Sequence, residues 1–121
     1  MNKVIGSVET KQISVLQGDH HIITSVELAD GQDSFKAGCL LYEDSGSYKA
    51  LAADDETHSP TAVALEDVEG KTSKAVVNAC VHGLCRTEDL CYADGKAVKA
   101  TAVKALREAG IYCTGTPAAE D

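Results

Sequence analysis

Cys80, His82, Cys85 and Cys91 place three thiols and an imidazole in one short run of the chain. These are zinc donors, and a structural zinc site takes four such ligands in tetrahedral geometry, usually as two close pairs far apart in sequence. The spacing here is C-x-H-x-x-C-x5-C, which fits no such arrangement. Alternation does put Cys80 and His82 on one face of a strand. The simpler expectation is that Cys39, Cys80, Cys85, Cys91 and Cys113 are reduced thiols used as small apolar side chains, with no metal and no cofactor. A metal-dependent binding module built on Cys80, His82 and Cys85 is the competing reading.

Other groupings are weaker. Gly70-Lys71-Thr72 ends like a phosphate-binding loop, but that motif needs a glycine at position 65, which is Leu65. It is expected to be a turn. Serine, cysteine, histidine and acidic residues all occur, yet no nucleophile sits in a local signature such as G-x-S-x-G. His20-His21 falls in an N-terminal arm and His58 in an acidic loop, poor places for a preorganised base. Asp54-Asp55-Glu56 lacks the alternating spacing of a calcium loop. No catalytic residue is assigned, and the expectation is a binding protein, not an enzyme.

Composition narrows the partners. With 19 acidic against 11 basic residues the net charge is −8. Phosphate backbones demand clustered Lys and Arg, so nucleic acid is excluded as a partner, and an anionic membrane surface for the same reason. Four basic residues, Lys96, Lys99, Lys104 and Arg107, gather near one segment and are expected to form its wet face. The start of the chain shows no signal-peptide pattern and no stretch approaches a membrane helix in length. Synthesis in a cytosol is therefore expected. There is no Trp and a single Phe, Phe35. Aromatic side chains supply the largest buried areas, so the core must be built from small residues, and association with other copies or a larger assembly would compensate.

The elements that must carry these residues are mostly strands. Ile22 to Leu28 has β-branched residues in partial alternation and ends at Ala29-Asp30-Gly31. Phe35 to Tyr42 is a second strand, Asp44-Ser45-Gly46-Ser47 a four-residue turn, and Tyr48 to Leu51 the returning strand. Thr61 to Leu65 and Ala75 to Val81 are further strands, the latter central, with Leu84-Cys85-Arg86 a separate short segment after Gly83. One helix is expected over Ala102 to Ala109, with Thr101 as N-cap, Ala102, Ala105, Leu106 and Ala109 as its apolar stripe, and Gly110 as its stop. Ile111-Tyr112-Cys113 closes the set as a strand. The fold class is mainly β with one short C-terminal helix, α+β being the fallback. Residues 1–21 are expected to form an extended arm and residues 22–121 a single β-rich domain. Val4, Ile5, Val8, Ile13, Val15 and Leu16 are the arm's apolar anchors.

Over residues 22–113 the chain resembles the head decoration proteins of lambda-like tailed bacteriophages. The residues that carry the resemblance are Val26-Glu27-Leu28-Ala29-Asp30-Gly31-Gln32, Phe35-Lys36-Ala37-Gly38-Cys39-Leu40-Leu41 and the Ser45-Gly46-Ser47-Tyr48-Lys49 turn. Ala62-Val63-Ala64-Leu65-Glu66-Asp67, Gly83 and Leu106-Arg107-Glu108-Ala109-Gly110-Ile111 follow in matching order. Where family members carry Gly-Ile this chain has Ala64-Leu65, and the cysteine-rich run from Cys80 to Cys91 corresponds to no family role. The resemblance implies a β-clip or β-tulip-like fold assembled as a homotrimer. It further implies a capsid cement protein, made in the bacterial cytoplasm and residing in the virion on the outer capsid surface. Its partner would be the major capsid protein, clamped at three-fold and quasi-three-fold sites of the expanded head, with the arm adding a strand to it. Another β-rich phage component, from the tail or head–tail connector, is the alternative, and a β-clip nucleotide-hydrolysing enzyme is a further one.

Overall fold

The computed structural model describes residues 16–29, 34–69, 76–115 and 117. It is mainly antiparallel β with one short helix, as the alternation of apolar residues implies. The strands are β1 (Leu16–Glu27), β2 (Leu40–Asp44), β3 (Ser47–Ala50), β4 (Ala62–Ala64), β5 (Val76–Arg86) and β6 (Ile111–Thr114). A 3-10 turn covers Thr87–Asp89, and helix α1 covers Ala100–Glu108.

The sheet runs in the order β1-β5-β4-β2-β3, with β6 also on β5. One edge of β5 is taken by β1. The other is shared by β4, opposite Cys80 and Ala79, and by β6, which lies parallel to Gly83–Arg86. Just past β1, Leu28 bridges to Tyr48 of β3, and the Ala29 N–H donates to the Tyr48 carbonyl at 3.0 Å. That contact joins the two ends of the strand order, so the sheet curls back on itself.

A closed sheet has an inside and an outside, and the two differ in side-chain size. Inside lie Val26, Leu28, Phe35, Cys39, Leu41, Ala62, Ala64, Val68, Val77 and Ala79. Small residues suit this narrow interior. Outside, Leu40, Leu51, Val63, Leu65, Cys80 and Cys85 are covered by Leu90, Tyr92, Val98, Ala102, Leu106 and Ile111. Alternation along β4 explains the split: Ala62 and Ala64 point in, Val63 points out, and all three are fully buried.

Local chemistry fixes the connections. The β2–β3 hairpin turns on Ser45 and Gly46, with φ of +56° and +88°. Positive φ at both central residues defines a type I′ turn, whose twist matches that of the flanking strands. The covering layer is seated at Gly38, where a Cβ would lie 2.0 Å from the Asp89 carbonyl oxygen. Helix α1 buries Ala102 and Leu106, with Ala105 and Ala109 half-buried, and Gly110 at φ +98° ends it. Its N-cap, however, is Lys99 and not Thr101, and no side chain caps it. Instead the Lys99 N–H donates to the Tyr92 hydroxyl at 3.1 Å, which ties the helix start to the buried ring.

Two boundaries correct the sequence reading. β5 does not stop at Val81 but continues through Gly83 to Arg86, so Leu84-Cys85-Arg86 is no separate segment. β1 begins at Leu16, and its backbone pairs with β5 at Leu16–Cys85 and Gln17–Leu84 before the Ile22 pairing resumes. Residues 16–21 therefore belong to the domain's own sheet, not to an arm. Val4, Ile5, Val8, Ile13 and Val15 lie outside the described residues, as do Gly70-Lys71-Thr72.

Candidate protein-binding surface

Most large apolar residues face one of the two cores, which makes the exceptions informative. Ile22 is 57% exposed, Ile23 41%, Val76 64% and Tyr112 48%. All four lie on β1, β5 or β6, and neither core takes them up. At Ile22 and Ile23 the ladder is irregular. Between the Gln17–Leu84 and Ile22–His82 pairs, β1 advances five residues while β5 advances two, and a second shift follows at Ile23. Such a bulge re-aims side chains and deepens strand twist. Gly83 accommodates it, since a Cβ there would lie 2.8 Å from the His21 ring. Beyond the bulge, His82 is exposed and meets Tyr112 edge-on, with ring centroids 6.4 Å apart and planes at 89°.

Loop 53–60 and the helix bound a polar cleft of about 510 Å³ lined by Asp55, Glu56, His58, Tyr92, Lys99 and Thr101, among others. Asp55 organises that loop. One carboxylate oxygen accepts the Thr57 and His58 N–H groups at 2.8 and 3.1 Å, and the other meets His58 Nδ1 at 2.7 Å. The imidazole stacks on Tyr42 at 4.1 Å. Hydrogen bonding from His58, then from the loop N–H groups, holds the Asp55 carboxyl below its usual range. An aspartate beside a histidine resembles part of a hydrolytic set, and His58 is more ordered than its place in an acidic loop suggests. Its contacts, though, are those of a self-bonded turn, and no hydroxyl or thiol bonds the imidazole among the described residues.

The C-x-H-x-x-C-x5-C run is split by the fold. Cys80 and Cys85 are buried in the outer core, where their thiols hydrogen-bond each other. The bond holds Cys80 low and, with burial, pushes Cys85 far up. His82 points elsewhere, toward Tyr112. Cys91 lies instead opposite Cys39 across a parallel bridge. Among the described residues no group of three His, Cys, Asp or Glu side chains is placed to hold a metal ion. Cys113 sits in register with Cys85, its thiol raised by burial. Cys39 and Cys80 are fully buried, Cys80 within β5 and Cys39 at an isolated bridge just before β2.

Of the residues the sequence singled out for binding, only Leu16 lies in the described structure, and its backbone is paired at home with Cys85. Ile22, Ile23, Val76 and Tyr112 were missed. For Tyr112 a signal existed, since it stands between buried Ile111 and half-buried Cys113 in a strand and so must face the other way. No helix of the described residues is long and apolar enough to cross a membrane. No protein-family model matches the sequence, and no curated protein is significantly similar to it.

Proposed function

We propose that this chain is a head decoration protein of a tailed bacteriophage. It binds the outer surface of the expanded capsid as trimers at three-fold and quasi-three-fold sites and stabilises the shell. The observation that carries the reading is the uncovered apolar set on β1, β5 and β6, on the strand that the N-terminal segment enters. Large apolar side chains that neither core takes up are surface that a protein partner can cover. The net charge of −8 disfavours nucleic acid. The resemblance to lambda-like decoration proteins supplies the identity of the partner, the major capsid protein. In this reading the segment before Leu16, with Val4, Ile5, Val8, Ile13 and Val15, adds a strand to a capsid subunit. Main-chain hydrogen bonds supply the affinity and alternate side chains the specificity.

The test mixes purified protein with empty expanded heads and images the particles. Density at the three-fold positions is expected, while density confined to the tail would end the proposal. Deleting residues 2–15 leaves β1 whole and separates the arm from the domain. The truncated protein is expected to fold and to lose head binding. Unchanged binding would remove the arm from the mechanism.

A further inference from the structure

Among the described residues the five cysteines form two thiol pairs and one outlier, and the pairs differ in access. Cys80 and Cys85 are both fully sealed, on one strand. Cys39 is sealed too, but its partner Cys91 is half-buried at the edge of the inner core. The two lie opposite each other: the Leu40 N–H donates to the Cys91 carbonyl at 2.9 Å, and the Cys91 N–H to the Gly38 carbonyl at 3.0 Å. Opposed residues of neighbouring strands have Cα atoms about 4.8 Å apart, inside the roughly 4.4–6.8 Å that a disulfide spans. The side chains of bridge partners leave the ladder on the same face, and both contact the same cluster.

We propose that Cys39 and Cys91 are a site of reversible covalent modification, closing to an intramolecular disulfide by exchange with small-molecule disulfides. In the first step the Cys91 thiolate attacks one sulfur of R–S–S–R, forming a mixed disulfide and releasing one RS⁻. In the second, the Cys39 thiol gives up its proton and attacks the Cys91 sulfur, expelling the second RS⁻. Both released thiolates take up protons. Two protein thiols are oxidised as one small disulfide is reduced to two thiols. The order follows from exposure, because Cys39 is unreachable from solvent and Cys91 is not. It is reinforced by the interaction between the two thiols, which lowers the Cys91 thiol and, with burial, raises Cys39. Thiolate character and access together decide which cysteine reacts. The product ties the start of β2 to the segment that carries Leu90 and Tyr92 over the outer core.

Trypsin makes the outcome readable, since Lys49, Lys74, Arg86 and Lys96 put Cys39, Cys91 and the Cys80–Cys85 pair on three different peptides. The full chain is incubated with oxidised glutathione, alkylated and mapped without reduction. The free thiols are expected to fall from five to three, with the peptides of Cys39 and Cys91 linked and dithiothreitol restoring all five. Cys39→Ser should stop at a glutathione adduct on Cys91, for want of the resolving thiol. Cys91→Ala, at the half-exposed and more tolerant position, should show neither link nor adduct, and it carries the test if the buried variant does not fold. A link within the Cys80–Cys85 peptide, a link to Cys113, a dimer through Cys91, or five thiols surviving would each overturn the proposal.

Discussion

Gly38→Ala tests how the covering layer is seated. Gly38 has φ of +95°, and a Cβ there would lie 2.0 Å from the Asp89 carbonyl oxygen, 3.2 Å from its carbon and 3.6 Å from Leu90 Cα. Two costs follow. Placing an L side chain at positive φ costs about 1–2 kcal/mol. The overlap is with backbone, so the segment from Asp89 to Cys91 must move, which strains the Leu40–Cys91 and Cys91–Gly38 hydrogen bonds at 2.9 and 3.0 Å. At about 1 kcal/mol each these add about 2 kcal/mol. The expected loss is about 3–4 kcal/mol, a large share of the 5–15 kcal/mol or so that holds a domain together. Gly95 is the control: it also has positive φ, +90°, but nothing lies within 4 Å of its would-be Cβ. Gly95→Ala should therefore cost only the dihedral term, about 1–2 kcal/mol. Urea unfolding followed by circular dichroism gives both numbers, with equal slopes expected. If Gly38→Ala costs no more than Gly95→Ala, the 89–91 segment is not packed on Gly38, and the Cys39–Cys91 opposition fails with it.

Ser45 occupies the left-handed region at φ +56° in the type I′ turn, where Asn is favoured. Ser45→Asn should stabilise the fold by about 0.5–1 kcal/mol in the same urea assay, and a loss would refute the turn assignment. Asp55 has a folded pKa below its ordinary 3.8. Its contribution is thus full above that value and lost as pH falls through the lower folded one. Asp55→Asn should flatten this acid limb in thermal melts taken from pH 5 down to pH 2, leaving the slope above pH 5 unchanged. A limb as steep as the parent's would show that the loop carboxylate does not link stability to pH.

Much of the sheet was legible because its signals are local. The Ser45-Gly46 turn, the doubly buried Ala62-Val63-Ala64 strand, the Ala102/Leu106 stripe and the Gly110 stop each depend on neighbours in sequence. What failed depended on distant partners. Gly18-Asp19 and Gly83 look like breakers, yet β1 and β5 run through them because the bulge of one passes over the missing side chain of the other. The helix start was misplaced because its anchor is the Tyr92 hydroxyl, not a capping side chain. Nothing in sequence spacing brings Cys39 to Cys91, since the contact exists only once the segment after the 3-10 turn crosses Gly38.

The division between the cores also bears on where a partner can bind. Hydrophobic stabilisation scales with apolar area removed from water. The inner cluster relies on Ala62, Ala64, Ala79 and Cys39 beside its few larger residues, whereas the outer one gathers five leucines, Tyr92 and Ile111. Much of the stabilisation therefore lies between the sheet and the layer that follows β5. Neither core takes up Ile22, Ile23, Val76 and Tyr112, which stay in water. At about 25 cal/mol per Å², covering them with a neighbouring protein would add to the same sheet the kind of outer packing it already has elsewhere. A partner that completes this layer stabilises the domain as it binds, because anything that binds only the folded state shifts the unfolding equilibrium toward it. Such coupling is the property that the proposed role as a capsid cement protein requires.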